Sequence, residues 1–281
     1  MATELEKIIM NSCDLPTIPT VAGRVIQLVS DPNASVETLS KAIRVDEALS
    51  ARVLKIANSA FYGCLRTVNT LSQAIMIIGF NTIKSIVLAA STKEVYKKFG
   101  LTEKILHDHS LGTAIAALYI AREVGYKKRE EAFLAGLLHD IGKVILNNDQ
   151  QKRFKLVMEE VYNTGRSFAE IEIEIFGFSH ADVGGLVIKK WNFSSEMEQV
   201  VSFHHNIEGL EKADPYVVKL TSIVNLADAL CYKVGIGGWE DEDMDLTAFR
   251  SFDILKLTED RLVGLEEKLL ESYAAEQAIL D

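Results

Sequence analysis

Five of the chain's six histidines sit in surroundings that suit metal chemistry, as do two aspartates. His109 opens a helical pattern in HDHSLGTAIAALYIA, and His139 and Asp140 lie in AFLAGLLHDIGKVIL. His180 begins a helix in FGFSHADVGG, His204 and His205 end one in VVSFHHN, and Asp228 falls within SIVNLADALCY. Imidazole nitrogen with carboxylate oxygen suits zinc, iron, manganese or cobalt, and a shared carboxylate can bridge two ions. Two such ions could activate water and stabilise an in-line displacement at phosphorus. Lys143, four residues after His139, shares its helical face and could contact a phosphate.

Each residue also has a plainer reading. His139 could be a core histidine bonded to backbone. Asp228 in an apolar helix needs a partner, but an arginine, a helix N-terminus or an imidazole would serve equally. Lys143 could be a solvated lysine closing a helical turn. His107 does not fit the pattern and reads as a surface residue.

The elements that must carry these groups are helices. Apolar residues recur at helical spacing nearly throughout, and no sustained period-2 alternation appears. After Leu15-Pro16 and Ile18-Pro19, Val21, Val25, Leu28 and Val29 share one face of a first helix. Ser35 reads as an N-cap. From Asp46, Leu49, Val53, Ile56 and Ala60 form an amphipathic helix ending before Gly63. A further helix runs from Leu71 to Gly79, and Asn81 reads as the cap of the next, with Ile83, Ile86, Val87 and Ala90. The stretch Lys97-Lys98-Phe99-Gly100 suggests a boundary, giving an N-terminal half, 1–100, and a second half, 101–281. Helices are expected at about 105–124, 129–147, 150–163, 180–191, 195–206 and 215–233. Ser179 and Asp182 have capping-box spacing, which puts His180 in a first helical turn. Asp214-Pro215 reads as an N-cap followed by Pro at the first position. Gly235–Asp245 is a glycine-rich, then acidic, loop. Beyond it Leu262, Leu265, Leu269 and Tyr273 form a stripe that completes the core or faces a second copy. The fold class is therefore all-α, a multi-helix bundle.

Composition narrows the function. At 281 residues with 48% hydrophobic and 25% charged side chains, the chain can bury a large core. It lacks the ~18-residue apolar run of a membrane span, and MATELEKIIMNS lacks the features of a signal peptide. Cys13, Cys64 and Cys231 are few and far apart, which fits reduced thiols and a cytoplasmic location. A net charge of −10 opposes nucleic acid as a partner. The spacing over Leu71–Ala90 resembles a helix–turn–helix, but only Lys84 and Lys93 lie on or near its second helix.

Residues 10–210 resemble HDOD domains, the HD-related output domains. The runs that carry the resemblance are LPTIPTVAGRVIQLVSDPNASVETLSKAIRVDEALSARVLKIANSAFYG, VNTLSQAIMIIGFNTIKSIVLA, HSLGTAIAALYIA, EEAFLAGLLHDIGKVIL, FSHADVGGLVIKKW and FHHN, with NLADAL beyond them. That family is a divergent branch of the HD superfamily of metal-dependent phosphohydrolases. Its domains are usually regarded as non-catalytic signalling modules. The resemblance implies an N-terminal helical half packed on an HD-like half. It also implies metal ligands: His109 resembles the first of the superfamily's set, His139 and Asp140 its naming motif, and Asp228 its last ligand. His180, His204 and His205 resemble the extra ligands of the HD-GYP branch, which hydrolyses cyclic di-GMP, and Lys143 matches that branch's HDIGK lysine. Two features depart from the branch: NIEGLEKADP follows His204-His205 in place of GYP, and position 105 is Ile. They argue against cyclic di-GMP as substrate and leave metal binding in place.

The expectation is a cytoplasmic regulatory module that docks a signalling protein and takes one or two ions of Fe, Mn, Zn or Co. The alternative is a metal-dependent phosphohydrolase, with Asp140 and Lys143 in catalytic roles. A nucleotide or phosphate ligand and a homodimer are both compatible with the sequence, and a membrane is not expected.

Overall fold

The computed structural model describes residues 20–58, 67–96, 98–238 and 240–280. The regular elements among these residues are all helices, with no strand among them. None of the helices described is long and apolar enough to cross a membrane. The described chain forms two compact units, residues 20–95 with 267–280, and residues 96–266.

The smaller unit is built from α1 (Thr20–Ser30), α2 (Val36–Arg44), α3 (Glu47–Ala57), α4 (Leu71–Ile78) and α5 (Phe80–Ser91). Ser35 caps α2, as expected, in a capping box with Thr38, and Asp46, where the next helix was expected to begin, proves to be the cap of α3. α1 and α3 pack on α5, and α2 packs on α4. Val25, Leu39, Ile43, Val53, Ile56, Ile75, Ile83 and Ile86 form the buried apolar set. Asn81 is not a cap: Gly79 ends α4 and directly precedes α5, so Asn81 lies inside the first turn. Ala60, Gly63, Cys13, Cys64 and the Pro16 and Pro19 signals lie outside the described residues.

The larger unit is organised around α6 (Leu101–Glu123) and α13 (Pro215–Lys233), which pack on each other. Both are buried over most of their length. α7 (Arg129–Leu138) lies against both, and α8 (Ile141–Asp149) lies against α11 (His180–Lys190). α9 (Gln151–Thr164) packs with α10 (Phe168–Phe176), and α12 (Ser195–Phe203) packs with α11 and α13. α14 (Arg250–Leu255) lies against α13, and α15 (Glu259–Leu280) ends the described chain. Leu262 and Leu265 of the terminal stripe are buried in this unit, and Leu269, buried too, belongs to the smaller one.

Several expectations for this unit need correction. The single helix expected over 129–147 is two helices, broken at His139-Asp140. The helix expected over 195–206 stops at Phe203. The reason is the same in both places. His139 and His204 occupy C-cap positions, and each ring Nδ1 donates to the carbonyl three residues back, Gly136 or Val201, at 2.7 Å. The ring takes a carbonyl that the helix end leaves without a partner. His109 does not open its helix; α6 begins at Leu101, two turns earlier. His107 is not a surface residue. It is 4% exposed and packs edge-on against the rings of Tyr96 and Phe99, because α6 is covered on nearly every side. Helix α10 was not expected, although Ser167 and Glu170 form its capping box and Gly177 ends it.

Candidate metal centre

The larger unit gathers the seven sequence-predicted groups into one buried cluster. His109 comes from the middle of α6, His139 and Asp140 from the α7–α8 break, and His180 from the first turn of α11. His204 and His205 follow the end of α12, and Asp228 comes from α13. Gly142 permits the close approach of α8 to α11: a Cβ there would overlap the His180 carbonyl.

The donor atoms fall into two groups, each of which could hold a metal ion: His109, His139 and Asp228, and Asp140, His180, His204 and His205. Asp140 reaches both. Its Oδ2 lies 3.4 Å from His139 Nε2 and 3.8 Å from His109 Nε2. Its Oδ1 lies 3.2 Å from His180 Nε2 and 3.8 Å from His204 Nε2. Asp228 Oδ1 is 2.8 Å from His109 Nε2 and 3.6 Å from His139 Nε2, so an imidazole is the partner this buried carboxylate needed. Among the seven, only the His205 side chain is substantially exposed, at 33%, which places the solvent-facing edge of the centre beside it.

Outer hydrogen bonds fix how the rings face. His139 and His204 donate Nδ1–H to backbone carbonyls, and His109 Nδ1 lies 3.2 Å from the Ile236 carbonyl. His180 Nδ1 lies 2.6 Å from Glu172 Oε2. Once deprotonated, a ring held through an Nδ1–H donor turns its Nε2 lone pair into the cluster, the arrangement in which imidazoles ligate metals. The Ile236 carbonyl reaches His109 because Gly237 adopts φ +93° and lies on the His109 side chain, where a Cβ would overlap it. That left-handed backbone favours glycine. Asn225 donates to the His204 carbonyl at 2.8 Å, and the Tyr232 ring lies 4.7 Å from that of His109.

Lys143 is 1% exposed. Its ammonium lies 2.7 Å from Asp140 Oδ2, 3.5 Å from the Tyr232 hydroxyl and 4.2 Å from the centre of the Phe168 ring. The solvated reading of this lysine is therefore wrong. Its cation is spent on the central carboxylate, and a cation on an aromatic face gains further attraction.

The charges interact strongly. Burial raises the Asp140 carboxyl, but His139, Lys143 and His180 outweigh it and hold the group well below the usual carboxylate range. Asp228 is likewise raised by burial and held low by His109 and His139. Burial alone would lower His139, yet Asp140 and Asp228 push it up to about 10. His204 moves the other way, held well below its ordinary value by burial and by the neighbouring imidazoles.

Two polar atoms at the heart of the cluster, His139 Nε2 and Asp140 Oδ1, have no hydrogen-bond partner. Around Asp140 Oδ1, the Nε2 atoms of His180 and His205 lie 3.0 Å apart, and those of His180 and His204 lie 3.4 Å apart. With Nδ1 of His180 and His204 acting as donors, their lone pairs converge on a carboxylate oxygen. A cation satisfies such a set and an apolar filling would not. The donor set therefore fits a transition metal.

Sequence reasoning missed Glu172, Phe168, Asn225 and Tyr232, which surround the ligand candidates. The signals for the first two were the capping box and terminal glycine that define α10.

Comparison with known proteins bears on the fold and the family. An HDOD domain protein of unknown function from Geobacter sulfurreducens has the same fold, with a TM-score of 0.81, 24% identity, and coverage of 99% of this chain and 96% of that one. A proposed phosphohydrolase from Shewanella amazonensis SB2B gives a TM-score of 0.74 at 23% identity, with the same coverage. An uncharacterised protein from Treponema pallidum (strain Nichols) is 20% identical over 265 residues, which are 94% of this chain and 50% of that one. The chain thus spans about half the length of that relative. Residues 15–207 match the HDOD domain family, and the chain belongs to it.

Proposed function

We propose that this chain is an HDOD signalling domain that carries a two-ion transition-metal centre, in which the metal acts as a structural or sensing group. His109, His139 and Asp228 would hold one ion, His180, His204 and His205 the other, and Asp140 would be shared. What carries the reading is the set of Nε2 lone pairs facing Asp140 Oδ1, fixed by Nδ1 bonds on the outside of the cluster. Iron, manganese, zinc and cobalt all suit imidazole with carboxylate. A domain of this kind would act by docking a signalling protein, with ion occupancy stabilising the larger unit.

A second reading, phosphohydrolysis, draws support from one observation. Two donor groups share a carboxylate and meet solvent at His205, as a centre that admits a phosphoester requires. Bound ions would supply Lewis-acid activation of water and charge stabilisation at phosphorus. Lys143 keeps Asp140 ionised in this scheme, and the open edge at His205 admits the ester.

Metal analysis after reconstitution, with turnover measured on a generic phosphodiester, separates the readings. Two tightly held ions without turnover support the signalling domain. Two ions with turnover that is lost when they are stripped and returns when they are restored establish the hydrolase. Failure to retain any ion overturns both.

A further inference from the structure

One acid beside the centre belongs to neither donor group. Glu172, on α10, is 0% exposed. Its Oε2 lies 2.7 Å from the backbone nitrogen of His180 and 2.6 Å from the ring Nδ1 of the same residue, and it accepts both hydrogens. Its Oε1 has no hydrogen-bond partner. An ionised carboxylate in such a place is expensive unless the groups around it answer its charge. The other buried rings use cheaper anchors: His139, His204 and His109 each turn Nδ1 to a backbone carbonyl. Of these four rings, only His180 turns Nδ1 to a carboxylate. A second residue of α10 also reaches the centre: Phe168, one turn before Glu172, lies under the Lys143 ammonium.

We infer that Glu172 is the positioning residue for the His180 half of the centre. By holding Nδ1–H it commits His180 to the tautomer whose Nε2 faces Asp140, His204 and His205, and so it decides whether that half takes up an ion. A carboxylate partner also makes the ring a stronger donor than a carbonyl partner does. The loss of Glu172 therefore falls on one half alone. The group formed by His109, His139 and Asp228 shares no hydrogen bond with Glu172 and keeps its ion. This inference rests on the two-ion reading above.

A purely structural role, in which Glu172 only pins the start of α11 through the His180 backbone, would lower the stability of the metal-free protein. It would not change the ratio of the two ion affinities. That ratio is the quantity to measure. Full-length wild type, Glu172→Gln and Glu172→Ala are titrated with cobalt(II), following the visible absorption of the ion and competition with a chelator. Glu172→Gln preserves shape and an acceptor oxygen but removes the charge, so it remains informative if Glu172→Ala does not fold. Wild type should take up two ions. Glu172→Ala should bind one of the two ions about 10–100-fold less tightly, with Glu172→Gln in between, while the other ion keeps its wild-type affinity. Wild-type affinities for both ions in both variants would overturn the inference and leave the two-ion reading intact, as would equal weakening of both. A wild type that takes up no cobalt would remove the reading and the inference together.

Discussion

Replacing Asp140 with alanine should destabilise the metal-free larger unit severely, because it strands a lysine. Lys143 is 1% exposed and its ammonium sits 2.7 Å from Asp140 Oδ2. The Tyr232 hydroxyl at 3.5 Å and the Phe168 ring at 4.2 Å remain after the change, but neither carries a compensating charge. Removing one partner of a buried pair costs about 3–5 kcal/mol. Lys143→Met should cost less, since Asp140 keeps His139 and His180 close to its oxygens. In Asp140→Ala/Lys143→Met the stranded cation is gone. The double variant should therefore be more stable than Asp140→Ala alone, with a coupling of about 1–3 kcal/mol for groups in direct contact. Trp191 follows the last residue of α11 in this unit, so its fluorescence follows the unit during urea unfolding in a chelator. With a urea slope of about 2 kcal/mol/M, a loss of 4 kcal/mol moves the midpoint down by ~2 M. An Asp140→Ala midpoint within about 0.3 M of wild type, or a double variant no better than the single, would refute the claim that this carboxylate neutralises the buried lysine.

Other outcomes follow from the same geometry. Gly237→Ala forces a Cβ onto His109 at a backbone conformation of φ +93°. It should cost about 1–3 kcal/mol and weaken metal uptake, and wild-type affinity in this variant would show that the loop does not hold His109. Metal uptake at pH 7 should release protons. His139, pushed up to about 10, carries a proton in the metal-free centre that a metal ligand cannot keep. An indicator dye in weak buffer should register at least one proton per chain, with affinity rising as pH rises, and no release would contradict the assignment. Acid should act through the carboxylates. Asp140 and Asp228 lie below their unfolded values, so the stability they contribute is present above pH ~4 and is lost as pH falls below that. The gap between wild-type and Asp140→Ala midpoints should accordingly narrow on going from pH 7 to pH 3, and a gap independent of pH would count against the ionised state.

The sequence carried the helical class and most helix starts because those depend on local chemistry. Ser35, Ser179 and Asp214 cap helices as their side chains and spacing foretell. The ligand candidates were legible through their motifs, and all seven meet in the larger unit. The helix ends at His139 and His204 were not legible. There a ring replaces a backbone donor, and periodicity continues through the break. Lys143 and His107 were misjudged for a related reason: burial is set by tertiary packing on α6 and α8, which a charged or polar side chain does not announce. Glu172 escaped notice because its significance lies in a contact with His180, eight residues away across a turn.

The most direct test is a crystal structure of the cobalt-loaded protein with anomalous scattering recorded at the cobalt edge. Two peaks should flank Asp140, one ligated by His109, His139 and Asp228, the other by His180, His204 and His205. No peak within reach of these seven side chains, in crystals of protein that had been offered the metal, would contradict the account.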